Sequence, residues 1–182
     1  AQHLVVYRSL RMIAPASGFL WHTALFLGLL TFLPGLIGAW TAPFLPLTAL
    51  VGTFLAGHAA RLIAPPKVAM IGFASSVIGL PLALLLPEAV QIWVMLALFL
   101  GIGLVPGACF ATIPYLNHSS EDRAKANGAL AQRGNVGTAV ATPLMAALRW
   151  AGPAGPSLAA GGRSALGLIN LVVIHKNLSE YA

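Results

Sequence analysis

Charge is what this sequence has least of: only 8% of its 182 residues are charged, and only 4 are Asp or Glu. A soluble domain of this length carries far more charge on its surface, so that class of protein is excluded. The hydrophobic fraction of 58% also excludes a disordered chain. The composition therefore indicates a membrane protein.

Groups that perform covalent or metal chemistry are equally scarce. Cys109 is the single cysteine, which excludes an internal disulfide and a thiolate metal cluster. No carboxylate falls inside an apolar run, and Glu88 follows Pro87 at the edge of one. The glycine-rich stretch 161–164 lacks the strand and the lysine of a phosphate-binding loop. We therefore expect no enzyme activity, no cofactor and no metal.

Six apolar runs are each close to the roughly 20 residues with which a helix crosses a bilayer. The alternating pattern of a membrane β-barrel is absent, so we predict six transmembrane helices within residues 19–182, followed by a short cytoplasmic tail. Residues 1–18 are interpreted as a cytoplasmic linker or N-terminal segment, since they lead into no signal-peptide cleavage site. The predicted spans are Phe19–Trp40, Leu47–Ile63, Val68–Leu86, Val90–Leu116, Asn127–Leu148 and Ser157–Ile174.

The basic residues give the orientation in the membrane. A net charge of +6 would suggest nucleic acid as the partner of a soluble protein, but here Lys and Arg lie between apolar runs, as in loops facing an anionic cytoplasmic leaflet. With Arg133 and Arg163 set aside as intramembrane, only Arg149 falls clearly on the opposite side from the rest. Both termini are therefore predicted in the cytoplasm, with the lipid bilayer rather than nucleic acid as the partner. The residues on the cytoplasmic side are Arg8, Arg11, Arg61, Lys67, Arg123, Lys125 and Lys176.

The polar segment 117–128 has the pattern of a helix start. Ser119 is placed to cap the helix, and Asp122 follows three residues later as in a capping box. Glu121 precedes Lys125 by four residues, a spacing that pairs opposite charges on one helix face. We interpret the segment as a solvated turn that fixes the register of the fifth helix.

Small residues are concentrated in the second and fifth predicted helices, where they would let helix backbones approach closely. Both helices also contain Val-Gly-Thr, at Val51–Thr53 and Val136–Thr138. These are equivalent positions if the chain is a 3+3 inverted repeat. The small residues are Gly52, Ala56, Gly57, Ala59 and Ala60 in the second helix, and Gly134, Gly137, Ala141 and Ala146 in the fifth.

The connection 57–67, G-H-A-A-R-L-I-A-P-P-K, resembles the cytoplasmic motif Gly-x-x-x-Asp-Arg-x-Gly-Arg-Arg of the major facilitator superfamily of secondary transporters. Gly57 matches its glycine and Lys67 keeps its basic end, whereas Arg61 stands where the Asp is expected. The stretches Gly101–Gly107 and Arg133–Pro143 are similar to that family's glycine-rich fourth and fifth helices.

This resemblance covers nearly the whole chain and implies an all-α integral membrane protein: one six-helix half, most like the C-terminal half, of a major-facilitator fold. Such a half would move a small solute by alternating access, in a membrane we infer to be a bacterial inner membrane. Its expected partners are the solute and either an N-terminal six-helix half or a second copy. The rival is a noncatalytic structural or assembly subunit of a larger membrane complex.

In the resembled fold the first and fourth helices line the central cavity, which makes His22, Thr31, Cys109 and Thr112 candidate solute-binding residues. For His22 the alternative is an anchor at the cytoplasmic interface, where amphipathic rings are favoured. For Cys109 and Thr112 the alternative is a packing stripe on the fourth helix. The stripe is Gly101, Val105, Ala108, Cys109 and Thr112.

Arg133 and Asn135 are the candidate binding residues of the fifth helix. A guanidinium facing a cavity would bind a carboxylate or phosphate with two hydrogen bonds, so Arg133→Lys should weaken binding. The alternative is that Arg133 extends its side chain back to the cytoplasmic interface. Arg163, in the last helix, is expected to extend outward in the same way.

Overall fold

The computed structural model describes residues 6–7, 9–148 and 155–180, and within these ranges every regular element is helical. The predicted all-α fold is thus confirmed. Arg149, used above for the orientation, lies outside the described residues. The six long helices are α1 (Leu10–Phe32), α2 (Phe44–Ala59), α3 (Pro65–Leu85), α4 (Glu88–Leu116), α5 (Ser120–Leu148) and α6 (Gly155–Glu180).

Four helices of the described chain are long and apolar enough to cross a membrane: α1, α2 with its preceding turn, α3 and α4. The chain is therefore a membrane protein. The two other long helices, which we also predicted as spans, do not meet this criterion. α5 carries Gln132, Arg133 and Asn135 within its length, and these lower its mean hydropathy below that of a lipid-exposed span.

The first predicted span, Phe19–Trp40, is wrong at both ends. α1 begins at Leu10 and ends at Phe32; it is followed by a one-turn helix, Pro34–Ile37, and a 3-10 turn, Ala39–Thr41. Gly38 separates these two turns with a φ of 112°, which side-chain-bearing residues rarely adopt. Leu33, between the two helices, keeps a right-handed helical backbone, so the chain is interrupted at Pro34 but leaves the helical path only at Gly38.

Packing follows a regular scheme around α1 and α4, which meet at the centre of the bundle. α1 packs most extensively along α5, and α2 along α4. α3 packs against α4, α6 packs against α1, and α3 and α6 also pack against each other. Large apolar side chains fill the interior, among them Leu25, Phe73, Phe99, Ile102 and Met145.

Glycines permit the closest helix crossings. A Cβ built on Gly52 would collide with the Leu100 carbonyl of α4, and one built on Gly137 would collide with the Leu20 carbonyl of α1. Both glycines of the Val-Gly-Thr tripeptides therefore lie at helix contacts, as predicted. For Gly57 the expectation of close approach is wrong, because nothing lies within 4 Å of its Cβ position.

The outer surface carries large apolar side chains. Phe54 on α2 is 72% exposed, Leu85 at the end of α3 is 84% exposed, and Trp93 on α4 is 69% exposed. Leaving such groups in water would be unfavourable, whereas lipid tails accommodate them. This surface supports the assignment to a membrane.

The α4–α5 connection has the predicted cap. The Asp122 backbone N–H donates to the Ser119 hydroxyl oxygen at 3.0 Å, and Lys125 pairs with Glu121 at 2.6 Å. The hydrogen bond from the ammonium group to Glu121 raises the pKa of Lys125 above its ordinary value. This capped start lies outside the apolar part of the bundle, which agrees with a solvated turn.

Candidate functional site

The candidate residues named from the sequence lie at four separate places rather than in one site. His22 is buried near the middle of α1, while Cys109 and Thr112 are buried on α4. Thr31, near the end of α1, is exposed, and its hydroxyl donates to the Leu27 carbonyl at 2.8 Å. Arg133 and Asn135 lie on α5, and each place has its own chemistry.

Cys109 and Thr112 line a narrow cavity between α1, α3, α4 and α6. Its volume is about 10 Å³, room for about one water molecule. The Thr112 hydroxyl donates to the Ala108 carbonyl of its own helix at 2.7 Å, which satisfies the group without a ligand. Other lining residues are Ala14, Ala69, Leu171 and His175.

The rest of the α4 stripe is used in packing. A Cβ on Gly101 would collide with the Ser75 hydroxyl of α3, and a Val105 methyl fills the space left by Gly72. Gly101 and Val105 therefore pack α4 against α3, as the alternative of a packing stripe predicts.

His22 lies inside the bundle, with 6% of its surface exposed. Its ring stacks on Phe26 at 5.6 Å between centroids and interacts with the backbone of Ile102 on α4. Pro106 has no N–H to donate back to the Ile102 carbonyl, so that carbonyl can accept from the imidazole. The ring is enclosed by the bundle and does not face the lipid interface, which the alternative of an interfacial anchor requires.

Arg133 points toward the N-terminal part of α1. Its Nη1 donates to the Ser17 hydroxyl at 3.4 Å, and its Cζ lies 5.8 Å from the centre of the Tyr7 ring. The Tyr7 hydroxyl in turn donates to the side-chain oxygen of Gln132. The guanidinium is thus half-buried against α1, and its hydrogen bond to Ser17 is long.

Asn135 points the other way, because two residues along a helix correspond to a rotation of about 200°. Its side chain is exposed, as are those of Gln132, Thr138 and Thr142. We call these four residues the polar α5 face. Lipid tails offer no hydrogen-bond partner for an amide or hydroxyl, so such a face is unfavourable against lipid.

The outward face of α2 is chemically different from the polar α5 face. Its exposed side chains include Leu47, Leu50, Phe54 and Leu55, all of which suit a hydrocarbon environment. α2 and α5 occupy comparable positions in the bundle, one packed along α4 and the other along α1. The exposed polar side chains are therefore particular to α5, since α2 has apolar side chains in a comparable position.

The prediction that Arg163 extends outward is wrong. It does not extend outward; it is buried, with 4% of its surface exposed, and its Nη1 donates to the Ala24 carbonyl of α1 at 3.1 Å. A Cβ on Gly28 would lie 2.8 Å from that nitrogen, so the missing side chain of Gly28 provides the space. Sequence reasoning missed this contact because the glycine lies on a different helix, far away in the chain.

Three buried side-chain atoms of the described residues have no hydrogen-bond partner: His22 Nδ1, Arg163 Nη2 and Asn170 Oδ1. Leaving a buried polar atom unpaired costs about 1–3 kcal/mol, and more when the group is charged. The described residues include no cluster of three His, Cys, Asp or Glu side chains that could hold a metal ion.

Known proteins offer no guide to this chain. Comparisons with family models, with curated proteins and with solved structures each found no match. Its function is therefore inferred from its own packing and chemistry.

Proposed function

We propose that the chain is one six-helix half of a secondary transporter, which moves a small solute by alternating access together with an N-terminal half or a second copy. The observation that carries this proposal is the polar α5 face. The outward faces of α2, α3 and α4 expose mainly large apolar side chains, so the polar α5 face needs something other than lipid opposite it. A water-filled path between two halves provides that environment.

The packing scheme supports the architecture. If α1, α2 and α3 are matched with α4, α5 and α6 in that order, the α1–α5 contact corresponds to the α4–α2 contact. The α1–α6 contact corresponds in the same way to the α4–α3 contact. The α1–α4 and α3–α6 contacts map onto themselves. The two helices of each exchanged pair are three positions apart along the chain, so the two units would run in opposite directions through the membrane, as in a 3+3 inverted repeat.

The glycine contacts support the same exchange. Gly52 on α2 meets the carbonyl of Leu100 on α4, and Gly137 on α5 meets the carbonyl of Leu20 on α1. Each glycine is the middle residue of a Val-Gly-Thr tripeptide, and each partner is a leucine carbonyl. Under this proposal α5 is a fifth membrane crossing, since its 29 residues extend about 44 Å, and α6 is a sixth.

Arg133 would contribute to solute binding where the solute enters beside α1 at the cytoplasmic end, since its side chain lies on the opposite side of α5 from the polar α5 face. Its guanidinium is half-buried and has one long hydrogen bond among the described residues, so donors remain for a carboxylate or phosphate on the solute. Asn135, on the opposite side of the same helix, would face the path between the halves.

The rival function is a noncatalytic subunit of a larger membrane complex, and the cavity beside Cys109, with room for about one water molecule, does not distinguish it from a transporter half. In a transporter half the solute path lies between halves, so a small internal cavity is compatible with both functions. The two differ in what covers the polar α5 face, which is water in a transporter and protein in a fixed subunit.

Cysteine accessibility distinguishes them. In a Cys109→Ala background, Asn135→Cys, Thr138→Cys and Thr142→Cys are made in the membrane-embedded protein and treated with a small, membrane-impermeant thiol reagent. Leu50→Cys and Phe54→Cys on α2 serve as lipid-facing controls. We expect reaction at the α5 positions and none at the α2 positions. Protection of all five positions would contradict a water-filled path and favour the subunit.

A further inference from the structure

A cleft of about 520 Å³ opens between the α1–α2 connection and the start of α4. We call it the rim cleft, and by the predicted topology it lies at the external end of the bundle. Its volume is within the roughly 300–1,000 Å³ that is usual for small-molecule sites. Two residues of the connection and three of the first turns of α4 form most of its wall: Ile37 and Trp40, and Glu88, Gln91 and Ile92.

The Trp40 ring is held in place at the mouth of the rim cleft. A Cβ built on Gly38 would lie 2.8 Å from the indole Nε1, so the absence of a side chain on Gly38 leaves room for the ring. The Phe44 ring meets the indole edge to face, with 6.1 Å between the ring centroids. Trp40 is nevertheless 63% exposed, so much of its surface is open to a ligand. The face of an indole attracts an organic cation.

Glu88, the first residue of α4, gives the rim cleft a negative charge. Within the described part of the chain the one ion pair joins Lys125 to Glu121, so no cationic side chain there neutralises the Glu88 carboxylate. The Gln91 Nε2 donates to the Leu86 carbonyl at 3.1 Å, which leaves the oxygen of that amide as an acceptor. The side chains of the cleft therefore suit a cation and repel an anion.

We propose that the rim cleft binds an organic ammonium group. The Glu88 carboxylate pairs with its charge, the Trp40 ring contacts its substituents, and Ile37 and Ile92 pack against their apolar parts. A metal ion such as Ca²⁺ is a poorer fit, because it takes about six to eight oxygen ligands and the acidic and amide side chains here number two. The ammonium group can belong to a free organic cation or to the headgroup of phosphatidylethanolamine. The inference does not depend on transport.

Saturation-transfer NMR of the purified full chain in an uncharged detergent tests this proposal, with tetramethylammonium as the probe. We expect saturable transfer to its methyl protons, and Glu88→Gln and Trp40→Leu should each weaken binding by about threefold or more. Glu121→Gln and Trp93→Leu are the matched controls and should bind as the parent does, because Glu121 follows the far end of α4 and Trp93, 69% exposed, lines a different groove. No transfer with the parent chain, or equal binding by the parent, Glu88→Gln and Trp40→Leu, would overturn the proposal.

Competition by short-chain lipids then identifies the source of the ammonium group. Dihexanoyl phosphatidylethanolamine and dihexanoyl phosphatidylglycerol have the same acyl chains, but only the first carries an ammonium group. Displacement of tetramethylammonium by the first lipid alone assigns the rim cleft to the lipid headgroup, and displacement by neither assigns it to a free cation. Equal displacement by both lipids would contradict recognition through the ammonium group.

Discussion

The side-chain amide of Asn117, the residue that follows α4, donates to the backbone carbonyl of Arg11 in α1 at 3.2 Å. That carbonyl is available because Pro15, four residues later, has no N–H to donate to it. On α4, Pro106 likewise has no N–H for the Ile102 carbonyl, and the His22 side chain of α1 lies beside the Ile102 backbone. Asn117 thus satisfies a backbone group of α1 that Pro15 leaves open.

Replacing Asn117 by Ala should lower the free energy of unfolding by about 1–3 kcal/mol, since its partly buried hydrogen bond to the Arg11 carbonyl would be lost. Asn117 is 4% exposed and donates to the Ile113 carbonyl as well. Unfolding of the purified chain in mixed detergent and SDS measures the change. Asn127→Ala is the matched control, because Asn127 is exposed and bonds only within its own helix among the described contacts. Equal stability of the two variants would contradict this role of Asn117.

Alanine at Gly52 or Gly137 should reduce the yield of folded protein severely. The new methyl group would meet a backbone carbonyl of the partner helix, which cannot move aside as a flexible side chain can. Overpacking of this kind costs about 1–3 kcal/mol or more. Size-exclusion profiles and unfolding midpoints of the detergent-solubilised variants are the measurements.

Gly57→Ala and Gly128→Ala are the controls for that experiment, one in each of the same helices. Nothing lies within 4 Å of either Cβ position. Because alanine is the better helix former by about 0.5–1 kcal/mol, both controls should be as stable as the parent or slightly more so. If all four variants are equally stable, the helices are not in close contact at Gly52 and Gly137.

Cysteines introduced at Glu88 and at Ser119 should react with a thiol reagent from opposite sides of the membrane. In a Cys109→Ala background, an impermeant reagent applied outside intact cells should reach Glu88→Cys and not Ser119→Cys. The physical basis is the excess of basic residues on the side that contains Ser119, which favours the cytoplasm. External labelling at Ser119→Cys would reverse the proposed orientation.

The Lys125–Glu121 pair should stabilise the start of α5 through the neutral range and cease to do so in strong alkali. The pKa of Lys125 is raised in the folded protein, so its contribution is complete below the ordinary lysine value of 10.5 and is lost as the pH rises through the raised value. Both groups are solvent-accessible, so the effect is small. Comparing the unfolding midpoint of Glu121→Gln with that of the parent across the alkaline range measures it, and a difference that grows with pH would refute it.

The elements that depend on neighbours in sequence were predictable. The cap at Ser119, the Glu121–Lys125 pair and the confirmed end of α4 at Leu116 follow from local pattern, whereas α5 begins at Ser120 rather than at the predicted Asn127. The position of Arg163 was not predictable, because it depends on a glycine gap in α1. His22 was predicted near a helix end because the first span was taken to begin at Phe19, whereas α1 begins at Leu10 and runs through Pro15. The Arg11 carbonyl that Pro15 leaves open accepts instead from Asn117, far away in the chain.

The bond between Asn117 and the Arg11 carbonyl also bears on the order in which the protein is built. α1 is synthesised well before Asn117, so its first turn emerges with one backbone acceptor that water must satisfy at first. Arg11 lies at the end of α1 that we predict to be cytoplasmic, where water is present. The acceptor exchanges that water for the amide of Asn117 only after α4 has been made, so the first helix receives its last hydrogen bond when the fourth arrives.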